Sequence, residues 1–269
     1  MTTPKPVTGT REWAKFSLNV VNGCPHGCLY CYANCMAARF NRLSAGGWTD
    51  ETMREPPKRK TYSGTVMFPT THDLTPTNIH HTLPVLRRLL ENGNQVLVVS
   101  KPHIDVIDRI TTELDAFKSQ VLFRFSIGSG RDKTLAFFEP GAPKFEERMN
   151  SLALAVARGW RVSVSMEPLL EPNENQVVAL VEILQAAGAE EVWIGKLNRA
   201  KVNMTHNGHW NDRSAAAVKV IQDSQTEDRI RSLGARLAGN PVVRWKESFK
   251  AALGVELMTD ASEGEAWAG

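Results

Sequence analysis

The chain of 269 residues is 42% hydrophobic, 23% charged and 7% aromatic, values near those of ordinary globular proteins, which excludes a disordered, collagen-like or coiled-coil chain. Its net charge of +3 is compatible with a polyanionic partner without requiring one. No stretch reaches the roughly 18 apolar residues of a membrane span and MTTPKPVTGTREW lacks a signal-peptide core, so a cytoplasmic protein without a membrane partner is expected.

Strands alternate with helices along the chain. FSLNVVNGC is a β-rich run ending in Asn-Gly, suited to a strand that delivers a loop, and helix-forming ANCMAARFNRL follows the loop. Four further pairs come next: TVMFPTTHD with NIHHTLPVLRRLLENG, QVLVVSK with HIDVIDRITTELDAF, VLFRFSIGS with KFEERMNSLALAVARG, and RVSVSMEPL with NQVVALVEILQAAG. EVWIGKLN then leads into a polar amphipathic segment around 213–238, and VVRWKES lies near the end. This alternation predicts a parallel sheet, and Gly93, Gly159 and Gly188 fall where helix C-caps belong. The expected organisation is an N-terminal extension over 1–15, one α/β unit over 16–250 and a tail over 251–269 ending in SEGEAWAG. Arg54, Lys58, Arg59 and Lys60 form a basic run that reads as a solvated loop held open by Pro56 and Pro57. The seven tryptophans are scattered and read as core or interface anchors rather than as a base-stacking platform.

All four cysteines, Cys24, Cys28, Cys31 and Cys35, fall within twelve residues. A disulfide framework spreads its cysteines to close long loops, so this clustering reads as metal ligation. Structural zinc sites usually pair two ligand knuckles, and no second pair follows here. Thiolate-rich sites otherwise favour iron–sulfur clusters, although the ferredoxin run C-x2-C-x2-C-x3-C is not matched.

The C-x3-C-x2-C spacing in GCPHGCLYCYA resembles the radical S-adenosylmethionine (SAM) superfamily. The resemblance implies a partial (β/α)6 TIM-like barrel, with Cys24, Cys28 and Cys31 holding a [4Fe–4S] cluster whose fourth iron chelates SAM. Tyr30 matches the aromatic position that packs on the adenine. FEPGAPKFEERMNSLALAVARGWRVSVSMEPLLEP is similar to the spore photoproduct lyase-like group, and YANCMAARF to a phage-associated radical SAM group. Together these matches span roughly residues 16 to 200. The chemistry implied is reductive cleavage of SAM to a 5′-deoxyadenosyl radical that abstracts hydrogen from a substrate. A flavodoxin or ferredoxin-type reductant is implied as a partner.

Other residues are assigned by their place at strand ends, where such barrels keep their active sites. In FPTTHD the family's Gly-Gly-Glu segment is missing; Thr70, Thr71 and Asp73 are candidate acceptors for the SAM ammonium, or a turn capping the next helix. Lys101 is a candidate partner for the SAM carboxylate or a substrate anion. Arg124 and Ser126 share one face of their strand, Arg124 as a carboxylate partner and Ser126 as a ribose or carboxylate contact. Glu167 is a candidate for the ribose hydroxyls or the substrate, and Lys196 and Asn198 face the substrate. Cys35 reads as a packed thiol, a hydrogen-atom donor or a fourth ligand. The expected substrate is a nucleic-acid base or nucleotide. The alternatives are a peptide or protein side chain and, in a different class, a non-catalytic zinc or saturated iron–sulfur module.

Overall fold

The computed structural model describes residues 6–58 and 61–257; Arg59, Lys60, Trp267 and the SEGEAWAG tail lie outside them. Seven strands form one parallel sheet. They are β1 (Phe16–Ser17), β4 (Val66–Phe68), β5 (Val96–Ser100), β6 (Val121–Ser126), β7 (Arg161–Met166), β8 (Val192–Ile194) and β9 (Val243–Trp245), hydrogen-bonded in that order. The first apolar run is interrupted. Phe16–Ser17 joins the sheet, while β2 (Val21–Asn22) turns away to pair antiparallel with β3 (Thr52–Met53), a ribbon that the sequence did not announce. The sheet also exceeds the six strands expected, because VVRWKES supplies β9 beside β8.

Alternation along each strand divides the core in two. Val121, Phe123, Phe125, Val162, Val164 and Val98 face the helices. Those helices are α2 (Ile79–Glu91), α3 (Ile104–Glu113), α5 (Phe145–Ala157), α6 (Glu174–Ala186), α9 (Glu227–Arg236) and α10 (Glu247–Leu253). They answer with stripes such as Val106, Ile107 and Ile110, each side chain contributing about 1.5–3 kcal/mol when fully buried. Met67, Leu97 and Leu122 point the other way, into the barrel. Toward the C-terminal strand ends the inward positions become small or polar, at Ser126, Ser165 and Gly195. Those residues leave the barrel mouth open.

Gly93, Gly159 and Gly188 adopt φ of +76°, +76° and +97° at the ends of α2, α5 and α6, as their sequence positions imply.

The inside of the barrel is filled from the N-terminus. Trp13 and Ala14, just ahead of β1, join the interior cluster. Lys246, immediately after β9, is completely buried. Its ammonium donates to the Gly9 carbonyl at 2.6 Å, pairs with Glu12 at 2.7 Å and lies 4.2 Å from the Trp13 ring centroid. A buried charge is tolerated only when paired and hydrogen-bonded. The pair therefore ties the chain before the first strand to the chain after the last. Replacing Lys246 by alanine removes the closest partner of the buried Glu12 carboxylate, leaving Lys250 at 3.6 Å, and is expected to cost about 3–5 kcal/mol in a urea titration. A loss below about 1 kcal/mol would refute this tie.

Candidate active site

The cysteine loop leaves the β2 ribbon and runs into α1 (Tyr32–Arg39). It is too short to satisfy its own backbone, and neighbours do so. Cys24 donates its N–H to the Trp48 carbonyl at 2.8 Å, and Leu29 donates to that of Phe138 at 2.9 Å. Gly141, in the EPGAP segment, donates to the His26 carbonyl at 2.9 Å. From the other side Asn203, on α7 (Ala200–His206), donates to the Tyr30 carbonyl at 3.1 Å. Asn207 reaches the carbonyls of Leu29 and Cys31 at 3.1 and 2.9 Å. Two glycines allow this close packing: a Cβ at Gly23 would strike the Asp50 carbonyl, and one at Gly141 the Pro25 carbonyl.

Held this way, Cys24, Cys28 and Cys31 line one cavity of about 550 Å³ at the barrel mouth, and all are free thiols. The same wall receives Tyr30, Thr70, Thr71, Asp73, Lys101, Ser126, Glu167, Lys196 and Asn198. Twelve of the fourteen residues singled out for roles are thus brought together by the fold. Cys35 and Arg124 are not. Cys35 sits one turn into α1, half-buried and away from the cavity lining. Arg124 lies deeper in the barrel, buried between the rings of Trp13 and Trp193 (4.9 and 5.0 Å to the centroids). It donates to Ser163 at 2.9 Å and to Glu191 at 2.8 Å. Its donors are spent inside the protein, and burial lowers its pKa to about 10, which corrects its assignment as a carboxylate partner for a ligand.

Several lining groups are tightly held. Asp73 accepts the Lys101 N–H at 2.7 Å and the Ser100 hydroxyl at 3.0 Å. Its second oxygen accepts the His26 Nδ1–H at 2.8 Å, with the Lys101 ammonium at 3.7 Å. Because His26 donates through Nδ1, its Nε2 accepts from His103 Nε2, 2.8 Å away. Burial opposes ionisation of Asp73, but Lys101 and His26 outweigh it and hold its pKa well below the usual carboxylate range. Asn19 holds the Thr70 backbone and hydroxyl and the Thr71 N–H at 2.7–2.9 Å. The Tyr30 hydroxyl donates to Glu139, which pairs at 2.6 Å with fully buried Arg148. Arg148 in turn donates to the Ser126 carbonyl at 3.0 Å. Burial raises all three cavity thiols, with Asp73 adding to it at Cys24.

The donor set is what an iron–sulfur cluster takes: three thiols on one cavity, backed by a cationic lysine. A mixed metal trio of Cys24, His26 and Asp73 has its ligating atoms within 4.8 Å of one another, but His26 and Asp73 spend those atoms on each other. Two lining residues carry buried polar atoms without a hydrogen-bond partner, Ser165 Oγ and His72 Nε2. Such groups ordinarily find a partner, and a ligand would provide one.

The sequence did not single out Glu139, Arg148, Asn203, Asn207, Ser165 or Glu247. Strand alternation from Ser163 offers a signal for Ser165. The two asparagines sit on a short helix whose approach to the loop is purely tertiary.

No family model matches the chain. An uncharacterized protein of Acidianus two-tailed virus is 25% identical over 215 residues, spanning 71% of this chain and 70% of its own. Another, of Methanocaldococcus jannaschii, is 24% identical over 171 residues, or 62% and 65%. Among solved structures, spore photoproduct lyase complexed with dinucleoside spore photoproduct gives a TM-score of 0.58 at 15% identity, covering 91% of this chain and 80% of that one. SuiB of Streptococcus suis bound to precursor peptide SuiA gives 0.53 at 10% identity, covering 90% and 49%. A SuiB structure bound to S-adenosylmethionine gives 0.50 at 10%, covering 83% and 44%. The fold is therefore the partial α/β barrel of these solved structures, as the resemblance implied. Among the described residues no helix is long and apolar enough to cross a membrane.

Two outcomes follow from the geometry. Gly141→Ala is expected to displace the cysteine loop and to reduce iron loading severely while leaving the far-ultraviolet dichroism unchanged; normal loading would show that EPGAP does not brace the loop. The second concerns Glu247, whose pKa burial and the hydrogen bond with Glu12 raise to about 7. The folded state keeps this proton up to about pH 7, whereas the unfolded chain releases it near 4.5. Its stabilising contribution is thus full below pH 4.5 and lost as pH rises through 7. Glu247→Gln is expected to flatten the decline in urea midpoint between about pH 5 and 8, and an unchanged slope would contradict the assignment.

Proposed function

We propose that this chain is a radical SAM enzyme in which Cys24, Cys28 and Cys31 hold a [4Fe–4S] cluster. The carrying observation is the convergence of three free thiols on one cavity while the fourth cysteine stands outside it. When bound, the cluster supplies the electron that cleaves SAM reductively to a 5′-deoxyadenosyl radical able to abstract hydrogen from a substrate.

The residues around it bind, orient and exclude. The raised thiols must release their protons when iron binds, so loading is favoured by rising pH. Lys101 places a positive charge beside the thiolates and, with Ser126 and Glu167, offers contacts for the charged and hydroxyl groups of SAM. Thr70 and Thr71 present oxygens at the same wall, whereas the Asp73 oxygens are engaged with the protein's own donors. Tyr30, fixed at its hydroxyl by Glu139, offers a rigid ring edge. Trp13, Met67 and Val99 close the cavity floor, keeping water and stray C–H donors from a reactive carbon. Lys196 and Asn198 stand on the substrate side.

The substrate proposed is a nucleic-acid base or nucleotide, in keeping with the mildly basic chain and the likeness to a lyase solved with a dinucleoside photoproduct. The reaction needs a flavodoxin or ferredoxin-type reductant and fits a reducing cytoplasm. With Cys35 outside the cavity, a hydrogen-atom donor other than a cysteine is needed if the product radical is to be quenched.

Anaerobic reconstitution with iron and sulfide, followed by EPR of the reduced protein, tests this reading. A [4Fe–4S]⁺ signal that changes on adding SAM, is lost in Cys24→Ala, Cys28→Ala and Cys31→Ala, and survives Cys35→Ala is the expected result. A signal indifferent to SAM, or one tightly held zinc in place of iron, would sink it.

A further inference from the structure

We infer that the face formed by α1 and α7, beside the cavity mouth, binds a single strand of nucleic acid and leads one of its nucleotides into the cavity. This rests on the reading of the cavity given above and extends it from a nucleotide to a polymer.

Globular surfaces rarely leave large apolar side chains in a row. Yet Tyr32 and Met36 on α1 and Phe40, which caps its C-terminal end, follow one another at intervals of four, and Leu43 lies three residues beyond; each is between 41% and 50% exposed. Residues four apart share a helix face, so the row runs about 12 Å from Tyr32 to Phe40. Tyr32 is at once exposed and part of the cavity lining, so the row begins at the site itself. On α7, which packs against α1, Val202 is 41% exposed, and Arg199, from the residue ahead of that helix, also lines the cavity.

Charge selects the occupant. Neither the segment from Cys24 to Trp48 nor that from Gly195 to Asn211 contains an acidic residue, although the chain carries 29. The first contributes exposed Arg39 and Arg42, and the second Lys196, Arg199 and Lys201. The guanidinium groups of Arg39 and Arg42 lie 5.7 and 5.4 Å from the Phe40 ring centroid, and Lys201 lies 5.9 Å from the Trp210 ring. The nearest acidic residues along the chain, Asp50 and Asp212, fall just past the ends of these segments. A purely apolar peptide would gain nothing from this ring of cations. A single strand uses both features, stacking bases on exposed aromatics and neutralising phosphates with arginine and lysine. A duplex keeps its bases stacked inside and leaves the aromatic row unused.

The test is fluorescence anisotropy of the full-length chain with labelled DNA and RNA oligonucleotides of about 12 nucleotides, at several salt concentrations, with the matching duplex, a neutral peptide and anionic phospholipid vesicles as comparisons. Salt-sensitive binding of the single strand is expected. Phe40→Ala should weaken it about five-fold or more, and Arg39→Gln and Arg42→Gln should each lower the salt slope by about 0.7. These side chains are exposed, so the variants are expected to keep the wild-type dichroism and the SAM-dependent EPR change. Equal binding by wild type and variants, preference for the duplex, or binding of only the peptide or vesicles would overturn the docking face. A SAM-sensitive cluster without oligonucleotide binding would overturn the face and leave the cavity reading standing. Oligonucleotide binding lost in the variants, with a cluster indifferent to SAM, would do the reverse.

Discussion

Three cysteines spread over eight residues can address one point only if their loop is held from outside. That constraint organises the molecule. The loop has no ladder of its own, so the Trp48, Phe138, Gly141, Asn203 and Asn207 contacts take the place of secondary structure. They come from three separate stretches of the chain, around Trp48, Phe138–Gly141 and Asn203–Asn207. The close approach of the EPGAP segment needs a glycine for want of space, and the Glu139–Arg148 pair then fastens that segment to the end of β6. The barrel is thus the clamp for eight residues.

The same economy appears inside the barrel. The sheet leaves β1 and β9 as its two ends, and the segment before β1 occupies the space between them. Trp13 fills volume, while Glu12 and Lys246 exchange a charge-assisted bond in a fully buried setting. Buried ion pairs are weak stabilisers, but losing one partner is costly; this one serves mainly to fix where the N-terminal segment lies. Its neighbours Glu167 and Glu247 carry that buried charge network to the cavity wall. Burial raises the pKa of both carboxyls, and the orphaned Ser165 hydroxyl lines the same cavity.

Buried polar chains link the loop to the outside. Asp73 gathers Lys101, Ser100 and His26, and His26 meets His103, which faces Glu147 at 3.5 Å. The consequence is mechanical: through His26 and Asp73 the cysteine loop is pinned to the end of β5. The thiols are thus held with little freedom left to lose, so any ligand they share would cost less ordering than on a flexible loop of the same composition.

Much of this was legible in the residues. Cysteine spacing within twelve residues singled out the loop whose thiols line the cavity, and strand alternation with glycine caps announced the parallel sheet, because both patterns are local. Inward alternation placed Ser126 correctly beside the mouth. It placed Arg124 on the same face, but depth along the barrel is not written in the period of a strand; only the packing of Trp13 and Trp193 around the guanidinium decided that its donors turn inward. The interruption after Ser17, the brace from Asn203 and Asn207, and the Glu12–Lys246 tie across 234 positions are likewise products of the tertiary structure. They join residues whose separation in the chain carries no signal, through contacts that exist only once the barrel has closed around them.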